Sequence, residues 1–260
     1  MPTLGDIVAG LESDDGVYRT DTPEGWTQGR TLYGGLTAAL AIASAKRAFP
    51  DLPPLRSAQI AFVGPASGAL TFRPQLLRQG RSATIVAVVC EGENGIAARA
   101  MFTFAAARES LVRHDHAPAP AVARPEDCPP FFDGPFRPGF SPNFDYRLAA
   151  GARPLSGAAE PEFTVWVRLN DEAGVDPEVA LLAIADAPPP AAFVAFPQAG
   201  PVSTMTWTLD VDQPLSGGGW RLIRSASEQA GGGYSLQDMA VWDDTGRRIA
   251  AGRQMVALFV

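Results

Sequence analysis

Residues 29–48 read Gly-Arg-Thr-Leu-Tyr-Gly-Gly-Leu-Thr-Ala-Ala-Leu-Ala-Ile-Ala-Ser-Ala-Lys-Arg-Ala. The glycine pair Gly34 and Gly35 stands before an alanine-rich, almost uniformly apolar stretch that predicts a helix over about 35–48. Leu36, Leu40, Ile42 and Ala43 leave it no polar face, and its only charges, Lys46 and Arg47, come in the last turn. Such a helix is buried, as one wrapped by a sheet would be. Glycines at its start let a ligand approach the backbone, and the unpaired first-turn amides carry the positive end of the helix dipole. A developing oxyanion fits there. A core helix preceded by a glycine turn is the plainer reading of the same pattern.

Outward from this helix, block one holds a short strand at 16–20 and extended runs at 56–63, 69–78, 82–91 and 96–106, with Glu-Asn-Gly as the last hairpin turn. Block two repeats the order: a strand at 162–169, an apolar helix at 177–186, then runs at 202–212, 220–227, 235–242 and 248–260, with Asp-Asp-Thr-Gly as the last turn. Cys90-Glu-Gly-Glu-Asn-Gly-Ile-Ala-Ala-Arg in the first block parallels Trp242-Asp-Asp-Thr-Gly-Arg-Arg-Ile-Ala-Ala-Gly-Arg in the second. Two copies of one plan, each a helix followed by an antiparallel meander, imply an α+β fold rather than a doubly wound sheet. The copies are expected to pair edge to edge around two central helices.

Between them, 117–161 is rich in proline, including Pro118, Pro120, Pro125, Pro129, Pro130, Pro135, Pro138 and Pro142, which excludes regular helix and central strand. Its Phe131, Phe132, Phe136, Phe140 and Phe144 point to an ordered connection packed across a surface. The expected organisation is an N-terminal unit over 1–116, a linker over 117–161 and a C-terminal unit over 162–260. Trp166, Trp207, Trp220 and Trp242 fall on predicted strands and read as sheet packing.

The 260-residue chain carries a net charge of −7, which argues against nucleic acid as a partner. No run is long and apolar enough for a membrane span, and the N-terminus lacks the basic start and apolar core of a signal peptide. Two cysteines, Cys90 and Cys128, fit a reducing compartment. A cytoplasmic protein is expected. His114 and His116 lie in a polar run without further ligand types nearby, so no metal and no cofactor is expected. A nucleophilic hydrolase is disfavoured because no Gly-x-Ser-x-Gly occurs and both histidines sit in the linker. The latter point also weighs against hydratase chemistry.

Six stretches belong together: Gly29-Arg-Thr-Leu-Tyr-Gly-Gly, Ser57-Ala-Gln-Ile-Ala-Phe-Val-Gly-Pro and Leu77-Arg-Gln-Gly-Arg-Ser, then Ala185-Asp-Ala, Trp220-Arg-Leu-Ile-Arg and the stretch from Trp242 to Gln254. In these residues the chain resembles the acyl-CoA thioesterases of the thioesterase II type, whose members carry two hotdog domains in one polypeptide. The resemblance implies a double hotdog: two antiparallel sheets, each wrapped around a central helix. It implies hydrolysis of medium or long chain acyl-CoA in lipid metabolism by a directly activated water, oriented by an aspartate, a serine or threonine and a glutamine, without metal or covalent intermediate.

Carried over, the glutamine falls on Gln254 and the serine or threonine near Ser227. The aspartate position falls on Thr206, which can orient a water but cannot take its proton. Glu228 and Asp186 are the carboxylates that can substitute. Each has a plainer role open to it: Glu228 as a solvated strand residue, Asp186 as a cap on the Ala-Pro-Pro-Pro turn. Tyr33 with the Gly34 and Gly35 amides would receive the thioester, and Arg78 and Arg81, flanking a turn, would meet the phosphates of the coenzyme. Where the second half has Gln254, the first has Ala100 or Met101, so the polar set belongs to the second half. The alternative is a non-catalytic acyl-CoA or acyl-chain binding protein. Exposed sheet edges favour a homo-oligomer, dimer or higher.

Overall fold

The computed structural model describes residues 1–133, 137–212 and 215–260. The first half runs α1 (Leu4–Ala9), β1 (Glu12–Asp14), β2 (Val17–Asp21), a small hairpin of β3 (Thr27–Gln28) and β4 (Thr31–Leu32), α2 (Gly34–Ala48), β5 (Leu55–Phe62), β6 (Ala69–Gln79), β7 (Ala83–Gly92) and β8 (Gly95–Ala105). The second half runs β9 (Phe144–Gly151), β10 (Glu162–Leu169), α3 (Pro177–Ala185), β11 (Val202–Val211), β12 (Arg221–Gly231), β13 (Tyr234–Asp243) and β14 (Arg248–Leu258).

Twelve strands form one antiparallel sheet in the order β1-β2-β6-β7-β8-β5-β11-β14-β13-β12-β10-β9. This corrects the expectation of two sheets. The meanders of the two halves meet where β5 pairs with β11, Ser57 opposite Asp210 and Ala61 opposite Thr206, so backbone hydrogen bonds cross the boundary without a break. Pairing these two edges satisfies amides and carbonyls that each half alone would leave open.

Each strand alternates between a face turned to the helices and a face turned outward, as in β7, where Val86, Val88 and Cys90 are buried and their neighbours are not. In α2 the residues from Gly35 to Ala45 are all buried, so the helix is enclosed on every side. Asp176 caps α3 by accepting from the Glu178 and Val179 amides, Pro177 fills the first position where no N–H is needed, and Asp186 with Pro188 ends it. The helices run antiparallel. The N-terminus of α2 lies against the C-terminal end of α3, where Gly35 meets Asp186, and Lys46 in the last turn of α2 bonds Asp176 and Glu178 at the start of α3.

The proline-rich stretch contributes a strand that its composition hides. β9 pairs with β10 at the edge of the sheet and falls in a gap between Pro142 and Pro161 interrupted only by Pro154. Phe131, Phe132, Phe140 and Phe144 are buried; Pro135 and Phe136 lie outside the described residues. On the outer face, the indole N–H groups of Trp166 and Trp242 donate to the carbonyls of Ala123 and Ala117, which pins the connection to the sheet. Among the described residues, no helix is long and apolar enough to cross a membrane. Nor is there a group of three or more His, Cys, Asp or Glu able to hold a metal.

Candidate active site

The junction of the α2 N-terminus with the α3 C-terminus opens into a cavity of about 400 Å3. Its walls come from the β3–β4 hairpin, the segment after β5, the linker around Phe140, the turn Pro188–Pro190 and the starts of β11 and the end of β14. Leu32, Phe62, Phe140, Phe193 and Val202 supply apolar walls, and Gln28, Thr31, Thr37, Thr204 and Gln254 supply a polar surface of similar extent. Among the described residues, Asp186 is the single ionisable side chain in the lining.

Asp186 is the residue that follows α3, and its carboxylate reaches across the helix pair to two donors. Gln254 Nε2, from β14, donates to Oδ1 at 2.9 Å, and the Gly35 amide donates as well. Burial pushes the Asp186 carboxyl up from its ordinary range to about 7, against the opposing effect of those two hydrogen bonds. A carboxylate with such a value is poised to exchange a proton near neutrality. Gly34 explains the close approach: a Cβ there would stand 2.8 Å from Asp186 Oδ2 and 3.2 Å from Phe62 Cζ, so only glycine leaves the carboxylate its place. Because Gly35 bonds Asp186, the sequence expectation of two amides for a thioester oxygen reduces to one. The Gly34 amide, first of the helix, has no intrahelical acceptor.

Thr206, expected near the reacting water, is exposed on the outer face of β11 and is not in the cavity; Thr204 lines it instead. The reason is a β-bulge. Thr204 pairs with Val256 and Thr206 with Met255, so Met205 is an extra residue that turns Thr204 to the inner face. Counting by twos places both threonines on one face, and one inserted residue separates them.

Ser227 does share an inner-face row with Gln254, but Gln237 of β13 stands between them, which puts the two residues about 10 Å apart at two strand spacings. Its Oγ lies 2.8 Å from Ser235 Oγ, and it does not line the cavity. Glu228 sits in the bulge beside it, exposed, in an ion pair with Arg253. Its charge is thereby matched on the outer surface, away from Asp186.

Tyr33 is buried and outside the lining. Its ring stacks on Phe140 with centroids 3.9 Å apart, and its hydroxyl donates to the Ala183 carbonyl, while Tyr146 OH donates to Ala187 O at 3.4 Å. The two phenols hold the carbonyls on either side of Asp186, so Tyr33 positions the α3 terminus rather than touching a ligand. Burial pushes both phenols well above their usual range, which keeps them neutral donors. Arg78 and Arg81 flank the β6–β7 turn, at the opposite end of the sheet. The cavity borders the segment after β5 and the start of β8, and 11-residue β6 spans roughly 30 Å between those ends. They are too far to serve it.

Gln237 is a residue the sequence reading missed. It is buried in the row beside Gln254, and its Oε1 accepts the Ala191 amide at 2.5 Å, which anchors the Pro188–Pro190 wall. A glutamine on the inward phase of a strand, two turns of the pleat from Met239 and Val241, was the available signal.

Residues 22–105 match the description Acyl-CoA thioesterase N-terminal domain, and residues 125–258 match Acyl-CoA thioesterase C-terminal domain. The chain belongs to the acyl-CoA thioesterase family. No curated protein matches this thioesterase-family chain in sequence. Its fold is that of a hotdog protein of unknown function from Alicyclobacillus acidocaldarius, at 22% identity and a TM-score of 0.89 over 100% of this chain and 99% of that one. The tesB protein of Mycobacterium avium subspecies paratuberculosis has the same fold at 17% identity and a TM-score of 0.81, with both chains fully covered. An acyl-CoA thioesterase II from Mycobacterium marinum follows at 20% identity and a TM-score of 0.76, with 96% of each chain covered.

Proposed function

We propose that this protein hydrolyses the thioester of medium or long chain acyl-CoA with a water activated directly by Asp186. The observation that carries this reading is the meeting of Asp186, Gln254 and the Gly35 amide at the wall of a cavity that is part apolar and part polar. The apolar walls suit an acyl chain, and the volume of about 400 Å3 lies within the range of sites for small molecules.

In this reading the thioester carbonyl oxygen lies toward the Gly34 amide at the positive end of α2, and Thr204 and Gln254 orient the water. Asp186 takes a proton as the water oxygen bonds to the carbonyl carbon. The negative charge that forms on the carbonyl oxygen is stabilised by the helix terminus. Collapse of the intermediate breaks the C–S bond, and the departing thiolate receives the proton held by Asp186. The products are a carboxylic acid and the free thiol of the coenzyme; Asp186 is restored as its proton passes to the sulfur, and the acid then gives its own proton to solvent.

The test is release of free thiol from a series of acyl-CoAs by the purified protein and its Gln254→Ala variant. Thiol release that is lost in the variant supports hydrolysis. Loss of the Gln254 bond also takes away a donor that favours the charged form of Asp186, so residual activity should shift its midpoint to higher pH. Binding of acyl-CoA with no thiol released at any chain length would replace this reading with that of a carrier.

A further inference from the structure

Two arginines stand at the rim of the cavity. Arg30 is exposed in the two-residue turn of the β3–β4 hairpin, between Gln28 and Thr31, both of which line the cavity. Arg137 is exposed beside Pro138, which lines it from the linker. The two segments are fastened together: Asn143 Nδ2 donates to the Gly25 carbonyl at 2.8 Å, and Gly139 lies so close that a Cβ there would stand 2.8 Å from Thr27 O. Burial raises the Tyr146 phenol and the charge of Arg137 opposes that rise, which places the guanidinium near the residue that holds Ala187.

Among the described residues neither arginine has a hydrogen bond or ion pair, whereas Arg224, Arg248 and Arg253 elsewhere on the sheet each have a carboxylate partner. In a chain of net charge −7, a polyanionic substrate meets general repulsion, and a local pair of free cations beside the entrance reverses it where docking occurs. A guanidinium also presents its N–H groups as a fork that matches phosphate oxygens.

We propose that Arg30 and Arg137 bind the phosphate groups of the coenzyme's nucleotide end outside the cavity, while the acyl thioester enters it. This rests on the thioesterase reading and adds the subsite that distinguishes a coenzyme A ester from any other thioester. The apolar lining selects the acyl part; the rim selects the carrier.

The test compares two substrates with the same acyl chain, one on coenzyme A and one on N-acetylcysteamine, which has the thioester but no phosphate. For the Arg30→Ala, Arg137→Ala double variant, KM for the acyl-CoA should rise about tenfold or more with kcat unchanged, and KM for the N-acetylcysteamine ester should stay as in the wild type. Added salt should raise the wild-type KM for acyl-CoA and have little effect in the variant. Equal KM values in variant and wild type, or equal losses on both substrates, overturn the proposal. If neither ester is cleaved by the wild type, the hydrolytic reading falls by itself. Calorimetric titration with coenzyme A then decides the arginines: weaker binding by the double variant supports their role, and unchanged binding overturns it.

Discussion

At one end of the α2–α3 pair the Gly34 and Gly35 backbone faces Asp186, and at the other Lys46 of α2 meets Asp176 at 2.5 Å and Glu178 at 2.9 Å. The ends are related by the duplication, since each joins the start of one central helix to the finish of the other. Their chemistry is opposite. At the cavity end the first helical residue is a glycine with an amide to offer; at the other it is Pro177, which has none. Gln254 completes the first end, while the corresponding strand of the first half has Ala100, buried, and Met101, turned outward. Glu178 Oε1 also accepts the Leu55 amide at 2.7 Å, so the far end is closed by a charged and hydrogen-bonded plug. Duplication has doubled the scaffold, and a single end retains an unmatched carboxylate beside open space.

The contrast is broken most severely by Asp186→Asn, which keeps the shape and removes the proposed base. Thiol release should fall roughly 10²–10⁴-fold, the range for loss of a general base. In the wild type, the activity should rise with pH through a midpoint of about 7, because only the ionised carboxylate accepts a proton. The same group sets a stability trend. Its folded value lies above the ordinary carboxylate range, so the native state binds more protons than the unfolded one between about pH 4 and 7, and stability falls as pH rises through that window. Thermal unfolding above pH 7 should therefore show Asp186→Asn with the higher Tm. A Tm equal to that of the wild type at pH 8 would argue against a buried charge.

Gly34→Ala should come next. The added methyl has no backbone strain to overcome, and its collision is with Asp186 Oδ2 and the Phe62 ring, so the carboxylate must move. A loss of about 10²-fold in kcat/KM is expected from a displacement of that order. A smaller effect is expected from Thr204→Val, about tenfold for the loss of one oriented hydroxyl, whereas Thr206→Val should leave the rate unchanged because its side chain is on the outer face. A reversed ranking of these two would mean that the bulge in β11 is not present in solution.

Lys46→Met sharpens the comparison from the closed end. Lys46 and Glu178 are 28% and 13% exposed, between a surface and a buried pair, so denaturant unfolding should show a loss of about 1–2 kcal/mol. Thiol release should be unchanged. A fall in activity with this variant would indicate that the far end takes part in the reaction.

The order of the elements was legible because period-two and period-3.6 patterns are local properties. The extended runs of both halves and the two central helices match the observed strands and helices closely, and the glycine pair marks the α2 start. β9 escaped notice because proline density was averaged over the whole connection, although the run from Phe144 to Gly151 contains none. Of the candidate site, Gln254, Asp186 and Gly34 meet at the cavity, while Ser227 and Glu228 lie two strands from Gln254 and Arg78 and Arg81 lie at the far end of the sheet.

By itself, the sequence determined two copies of one plan, in each of which an antiparallel meander follows a buried helix. This follows from side-chain pattern and composition. The tertiary structure alone decided which carboxylate faces the glycines, which threonine faces inward and which arginines stand at the entrance. Those depend on an antiparallel helix contact across about 150 residues of chain and on a single bulge residue that reverses the facing of a strand, and neither is encoded in local spacing.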